Sequence, residues 1–176
     1  MTVRSCAVQR ITTHTMKTCL VAIDCWDSMP RPQKNLISRF PADLHLNQSH
    51  GRPQRHPVMR SWPTYTPQAL VGWIRTNRPC RLVYAGQQWQ MCLRHRPTGM
   101  HHMSRLRPWC EVWVAPDLCR TWISGGVDPD REWPRDRVLR RSDLEPGWRE
   151  REPGLWRWEG AGDLPIWRLD TDGLPL

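Results

Sequence analysis

The sequence predicts an α+β or mainly β fold, built on a small antiparallel sheet of two hairpins over about residues 68–124, with irregular, partly disordered flanks. Three observations lead there. Alternating β-branched and aromatic residues cluster between turn signals only in that stretch. The 17 prolines punctuate the rest too often for long helices or ladders. The charge changes sign along the chain, positive through its first two thirds and negative from about Asp143.

Residues 1–67 read as a basic, Pro-rich and largely irregular segment. Its one ordered candidate is a short strand or helix around Lys17–Ile23, closed by Asp24-Cys25-Trp26-Asp27. From Pro30 to Pro67 there are seven prolines, the composition of a loop or linker.

Residues 68–127 read as the β-rich core domain. Gln68–Arg75 is a strand or short helix. Arg81–Tyr84 and Trp89–Leu93 flank Ala85-Gly86-Gln87-Gln88, a four-residue hairpin loop with glycine at the turn. Trp109–Val114 and Cys119–Ile123 flank Ala115-Pro116-Asp117-Leu118 in the same way. Residues 128–176 read as a short helix over Pro134–Leu144, followed by an acidic, tryptophan-bearing tail that folds against a partner.

Composition bounds function. Of 26 cationic side chains only Lys17 and Lys34 are lysines, and the net charge is +9. Planar guanidinium forks grip phosphate or carboxylate with two parallel bonds and stack on indoles. A coding bias of the gene, such as an overprinted frame, raises Arg, Trp and Pro together and explains the same composition without phosphate binding. No apolar run reaches the roughly 20 residues of a membrane span, and Cys19–Ile23 is shorter than a signal-peptide core, so an intracellular protein of nucleus or cytoplasm is expected. The seven cysteines fit a reducing compartment.

Three groups of residues carry candidate chemistry. Arg94, Arg96, Arg105 and Arg107, with Trp89 and Trp109 beside them, are the nucleic-acid candidates, because clustered cations attract phosphates and indoles stack bases. The alternative is that these tryptophans form the core and the arginines solvate the surface. Cys92, His95, Cys110 and Cys119 are the metal candidates: Cys92 and His95 have the short spacing of zinc ligands, although no second pair does. Zinc is thus the implied cofactor, against the plainer reading of buried thiols and loop histidines. Trp148, Trp156, Trp158 and Trp167, set among acidic residues, are the protein-partner candidates. A further basic cluster, Arg135, Arg137, Arg140 and Arg141, suits nuclear import or pairing with the acidic tail.

Nucleotide-binding glycine loops, the serine-hydrolase elbow and the zinc-protease helix motif are all missing, and no enzyme is expected. A Cys/His pair such as Cys92 with His101 is available by abundance alone. The expectation is an accessory or regulatory protein that holds nucleic acid, RNA or DNA, through its basic body and a protein partner through its tail, with no membrane association. The alternative is a viral-type accessory protein from an overprinted frame that works on host factors by protein contacts alone.

Overall fold

The computed structural model describes residues 15–25, 29–48, 55–63, 66–127 and 134–164. Its centre is a mixed sheet of seven strands accompanied by a few short helices, an α+β chain with a larger sheet than two hairpins make. No helix among the described residues is long and apolar enough to cross a membrane.

The first strand, β1 (Lys17–Ile23), explains the architecture. Cys19 through Ile23 are all buried, so the strand is covered on both faces. That continuous apolar run, rather than alternation, is how a central parallel strand reads in sequence. The chain passes through α1 (Arg31–Ser38) to β2 (Leu44–Gln48), which lies parallel to β1 on one side. It then returns by α2 (Pro67–Asn77) to β3 (Cys80–Gly86), parallel to β1 on the other side. The start of α2 is set locally: Pro67 occupies the first turn, and the Thr66 hydroxyl accepts a 3.2 Å bond from the Ala69 N–H.

Two short helices, α3 (Cys92–His95) and α4 (Met100–Ser104), lead to β4 (Cys110–Val127), parallel to β3. Residues alternate across these strands. Val21, Leu82, Tyr84 and Val112 face Leu70 and Ile74 of α2, with Leu93, Met100 and Met103 of α3 and α4. Leu20, Val83, Trp113 and Ala115 face Ile37 of α1, with Met29 and Met59. Helices therefore cover both faces of a parallel four-stranded unit.

The remaining strands complete the sheet. β5 (Pro134–Val138) runs antiparallel to the far part of β4. β6 (Trp148–Glu152) and β7 (Leu155–Trp158) form a hairpin whose second strand pairs antiparallel with β4. The order is β2-β1-β3-β4-β7-β6.

Several expectations are corrected. Neither predicted hairpin of 68–124 forms. Gly86 ends β3 and the chain turns into α3 instead of returning as a strand, while 115–118 lies inside β4 as an irregularity between the Tyr84–Val114 and Gly86–Cys119 pairings. A bulge accommodates Pro116, which has no N–H to give a ladder. In the stretch read as an irregular flank, the candidate over Lys17–Ile23 is the strand β1, while α1 and β2 are unexpected. The helix expected over Pro134–Leu144 is β5 followed by a 3-10 turn, Arg141–Asp143. The acidic tail contributes the hairpin β6–β7, with Trp148 and Trp158 buried in the core.

Candidate active site at the carboxyl ends of the parallel strands

Where two parallel strands send their connections to opposite faces, a crevice opens outside their carboxyl ends, and ligands of open α/β sheets bind there. In this chain the place is between β1 and β3. Asp24, the first residue beyond β1, has φ 49, a left-handed backbone that ordinary residues rarely adopt, and it is fully buried. Across from it Gly86 has φ 127, and a Cβ there would sit 1.9 Å from the Ile23 carbonyl oxygen. Only glycine lets the two strand ends approach so closely. The Gln87 N–H then donates to that same carbonyl at 3.0 Å, and the Asp24 N–H to Gln48 O at 2.8 Å, closing the backbone around the site.

Three side chains meet inside. The Asp24 carboxylate accepts bonds from Arg96 Nε at 3.0 Å and Nη2 at 2.8 Å. The same Nη2 lies 3.8 Å from Cys92 Sγ, and the thiol donates to Gln88 Oε1 at 3.3 Å. Cys92 opens α3 and Arg96 follows its last residue, so one short turn presents both toward Asp24. Burial pushes the Cys92 thiol up to about 12, and the Asp24 carboxylate pushes in the same direction while Arg96 opposes it. The resting thiol is therefore protonated, with Asp24 and Arg96 beside it. Thr98 Oγ1 donates to Gln48 Oε1, and Tyr84 Oη donates to the Thr98 carbonyl at 2.7 Å, which ties the loop after α3 to the ends of β2 and β3.

Cys92 differs from the other described cysteines. It keeps 8% of its surface exposed, against 0–2% for Cys19, Cys25, Cys80, Cys110 and Cys119. Arg96 and Gln88, the two side chains that contact its sulfur, are both only partly buried.

The structure does not assemble the predicted zinc ligands. Cys110 Sγ donates to Met103 O and Cys119 Sγ to Tyr84 O, each at 3.5 Å, while Cys92 turns to Gln88. His95 has a buried Nε2 with no hydrogen-bond partner among the described residues, and its neighbours are Arg94, His101 and His102. Among the described residues no group of three or more His, Cys, Asp or Glu is placed to hold a metal ion.

Nor do the predicted nucleic-acid residues share one open face. Arg94 is fully buried against Glu145, with its guanidinium 4.6 Å from the Trp89 ring centre. Arg96 is engaged by Asp24. Arg105 pairs with Asp163 at 2.9 Å, and Arg107 donates to the Trp158 carbonyl at 2.6 Å. Trp89 is a core residue, and Trp109 is half-buried beneath Arg78 at 5.0 Å. Of the partner candidates, Trp148 and Trp158 pack edge to face at 5.6 Å, Trp156 is half-buried, and Trp167 lies outside the described residues. Asp24 and Gln88 escaped sequence reasoning. The available signal was an apolar run ended by an acid, which is how a buried parallel strand delivers a carboxylate to its carboxyl end. No protein-family model, curated protein or solved structure matches the chain.

Proposed function

We propose that the chain is a small-molecule enzyme that uses Cys92 as a nucleophile in acyl transfer or hydrolysis, with Asp24 as its proton acceptor. The observation that carries this reading is the meeting of Cys92, Asp24 and Arg96 at the sheet's switch point. Asp24 takes the thiol proton as Sγ attacks a carbonyl carbon. The leaving group departs with that proton, and a thioester remains on Cys92. Water, losing a proton to Asp24, then cleaves the thioester, and the proton returns to Sγ. Arg96 is a positioning residue: its fork fixes the carboxylate, and its charge stabilises the thiolate as it forms.

The test uses p-nitrophenyl acetate, a small activated ester. The expected result is a burst of about one p-nitrophenol per chain, with the acetyl group mapped to Cys92 and absent from a folded Cys92→Ala variant. An unchanged burst in Cys92→Ala, or acetyl groups spread over other residues, sinks the proposal. The competing reading is the accessory protein that binds nucleic acid by its arginines, or its host-directed counterpart. It draws on the net charge of +9, and it predicts no burst but a salt-sensitive complex with RNA or DNA, or a protein complex insensitive to nuclease.

A further inference from the structure

A cavity of about 560 Å³ lies beside the irregularity in the middle of β4, and Cys92 is not among the residues that line it. Its walls come from three places: Pro116 and Asp117 in the β4 irregularity, Arg137, Arg140 and Arg141 at the end of β5 and its 3-10 turn, and Trp156 on β7. The volume falls within the roughly 300–1,000 Å³ of small-ligand pockets.

The three guanidiniums are not equivalent. Arg137 forks onto Asp143, with both bonds at 2.7 Å, and is neutralised. Arg141 reaches Glu150 only at 3.4 Å, keeps 68% of its side chain exposed, and stands 5.9 Å from the centre of the Trp156 ring. Arg140 is exposed, and among the described residues no carboxylate hydrogen-bonds its guanidinium. One wall thus carries incompletely neutralised positive charge, and beside it stands an indole. The Trp156 N–H is buried without a hydrogen-bond partner among the described residues.

We propose that this cavity binds a mononucleotide, its base stacked on Trp156 and its phosphate held by Arg140 and Arg141. A bare phosphate leaves the indole unused. A continuous nucleic-acid strand has to carry further phosphates past Asp117, an exposed carboxylate on the lining that repels them. A single phosphate avoids that repulsion, and Asp117 then accepts a bond from a ribose hydroxyl or a base amino group. The inference stands apart from the thiol chemistry of Cys92.

Calorimetric titration of the full chain with adenosine monophosphate, adenosine, inorganic phosphate and a short single-stranded RNA tests it. Adenosine monophosphate is expected to bind about tenfold or more tightly than adenosine or phosphate. Arg140→Gln, Arg141→Gln and Trp156→Leu are each expected to weaken it by about tenfold. Because Arg140 is exposed and outside the core, Arg140→Gln carries the test if Trp156→Leu does not fold. The proposal is overturned by no binding of the monophosphate, by equal binding of phosphate alone that ignores Trp156→Leu, or by affinity unchanged in Arg140→Gln. RNA affinity that climbs steeply with strand length also overturns it, in favour of a nucleic-acid surface.

Discussion

Replacing Glu145 by Gln removes a carboxylate charge that is paired with a fully buried guanidinium. Arg94 is 0% exposed, and the other carboxylate oxygen of Glu145 accepts the Trp148 indole N–H at 3.0 Å. The substitution therefore leaves a buried cation facing a neutral amide and disturbs the Trp89–Trp148–Trp158 stack, whose ring centres are 5.6 Å apart. Breaking a buried pair in this way costs about 3–5 kcal/mol, because the remaining charge keeps its desolvation penalty. With a urea slope of about 2–3 kcal/mol/M, the unfolding midpoint falls by roughly 1–2.5 M. Urea denaturation followed by far-ultraviolet circular dichroism reads this shift. The double variant Arg94→Met/Glu145→Gln removes the cation as well and is expected to be less destabilised than Glu145→Gln alone. A midpoint change below about 0.3 M at unchanged slope, the scale of an exposed ion pair, refutes the reasoning, as does a double variant weaker than the single one.

Two further perturbations probe the sheet. Glu159, bonded by Arg151 and Arg157, is held at about 2 against an ordinary 4.5. A carboxylate depressed on folding stabilises the native state above its unfolded pKa, and that contribution disappears as pH falls from about 4.5 toward 2. The stability gap between the wild type and Glu159→Gln should accordingly close over that interval in acid titrations of thermal melting; a gap that persists at low pH contradicts the assignment. Gly86→Ala has no room for its Cβ and is expected to lose more than about 1 kcal/mol, whereas Gly72→Ala, in the open on α2, should gain about 0.5–1 kcal/mol. Chemical denaturation of the two variants side by side decides, and equal effects would show that β1 and β3 do not meet at Gly86.

What the sequence reveals and conceals follows from how each element is stabilised. The run Cys19–Ile23 is visible as ordered structure, and of the two classes expected, α+β or mainly β, the chain is α+β. The strand partners are not visible, because an isolated apolar run shared by β1 and β3 carries no sign of parallel or antiparallel pairing. Gly86 looks like a hairpin turn when its left-handed backbone is considered alone; its second role, admitting Ile23 to close contact, needs the neighbouring strand. Asp24 and Arg96 are 72 positions apart, and only the placement of β3 beside β1 brings them together. The tryptophans of the C-terminal region stand among charges and read as solvated, yet pairing of β6 with β7 puts Trp148 opposite Trp158 and buries both.

The most direct measurement of whether Asp24 and Cys92 form a working pair is the rate of Cys92 acetylation in wild type and Asp24→Asn, followed from about pH 6 to 10 with p-nitrophenyl acetate. Since burial chiefly, and Asp24 after it, holds the thiol proton on, a carboxylate that is only a neighbour gives a faster reaction when removed. A carboxylate that accepts the proton gives a slower one, by about 100-fold or more. The proposed chemistry predicts the slower reaction, with folding intact by circular dichroism, and an Asp24→Asn variant that reacts as fast as wild type or faster contradicts it.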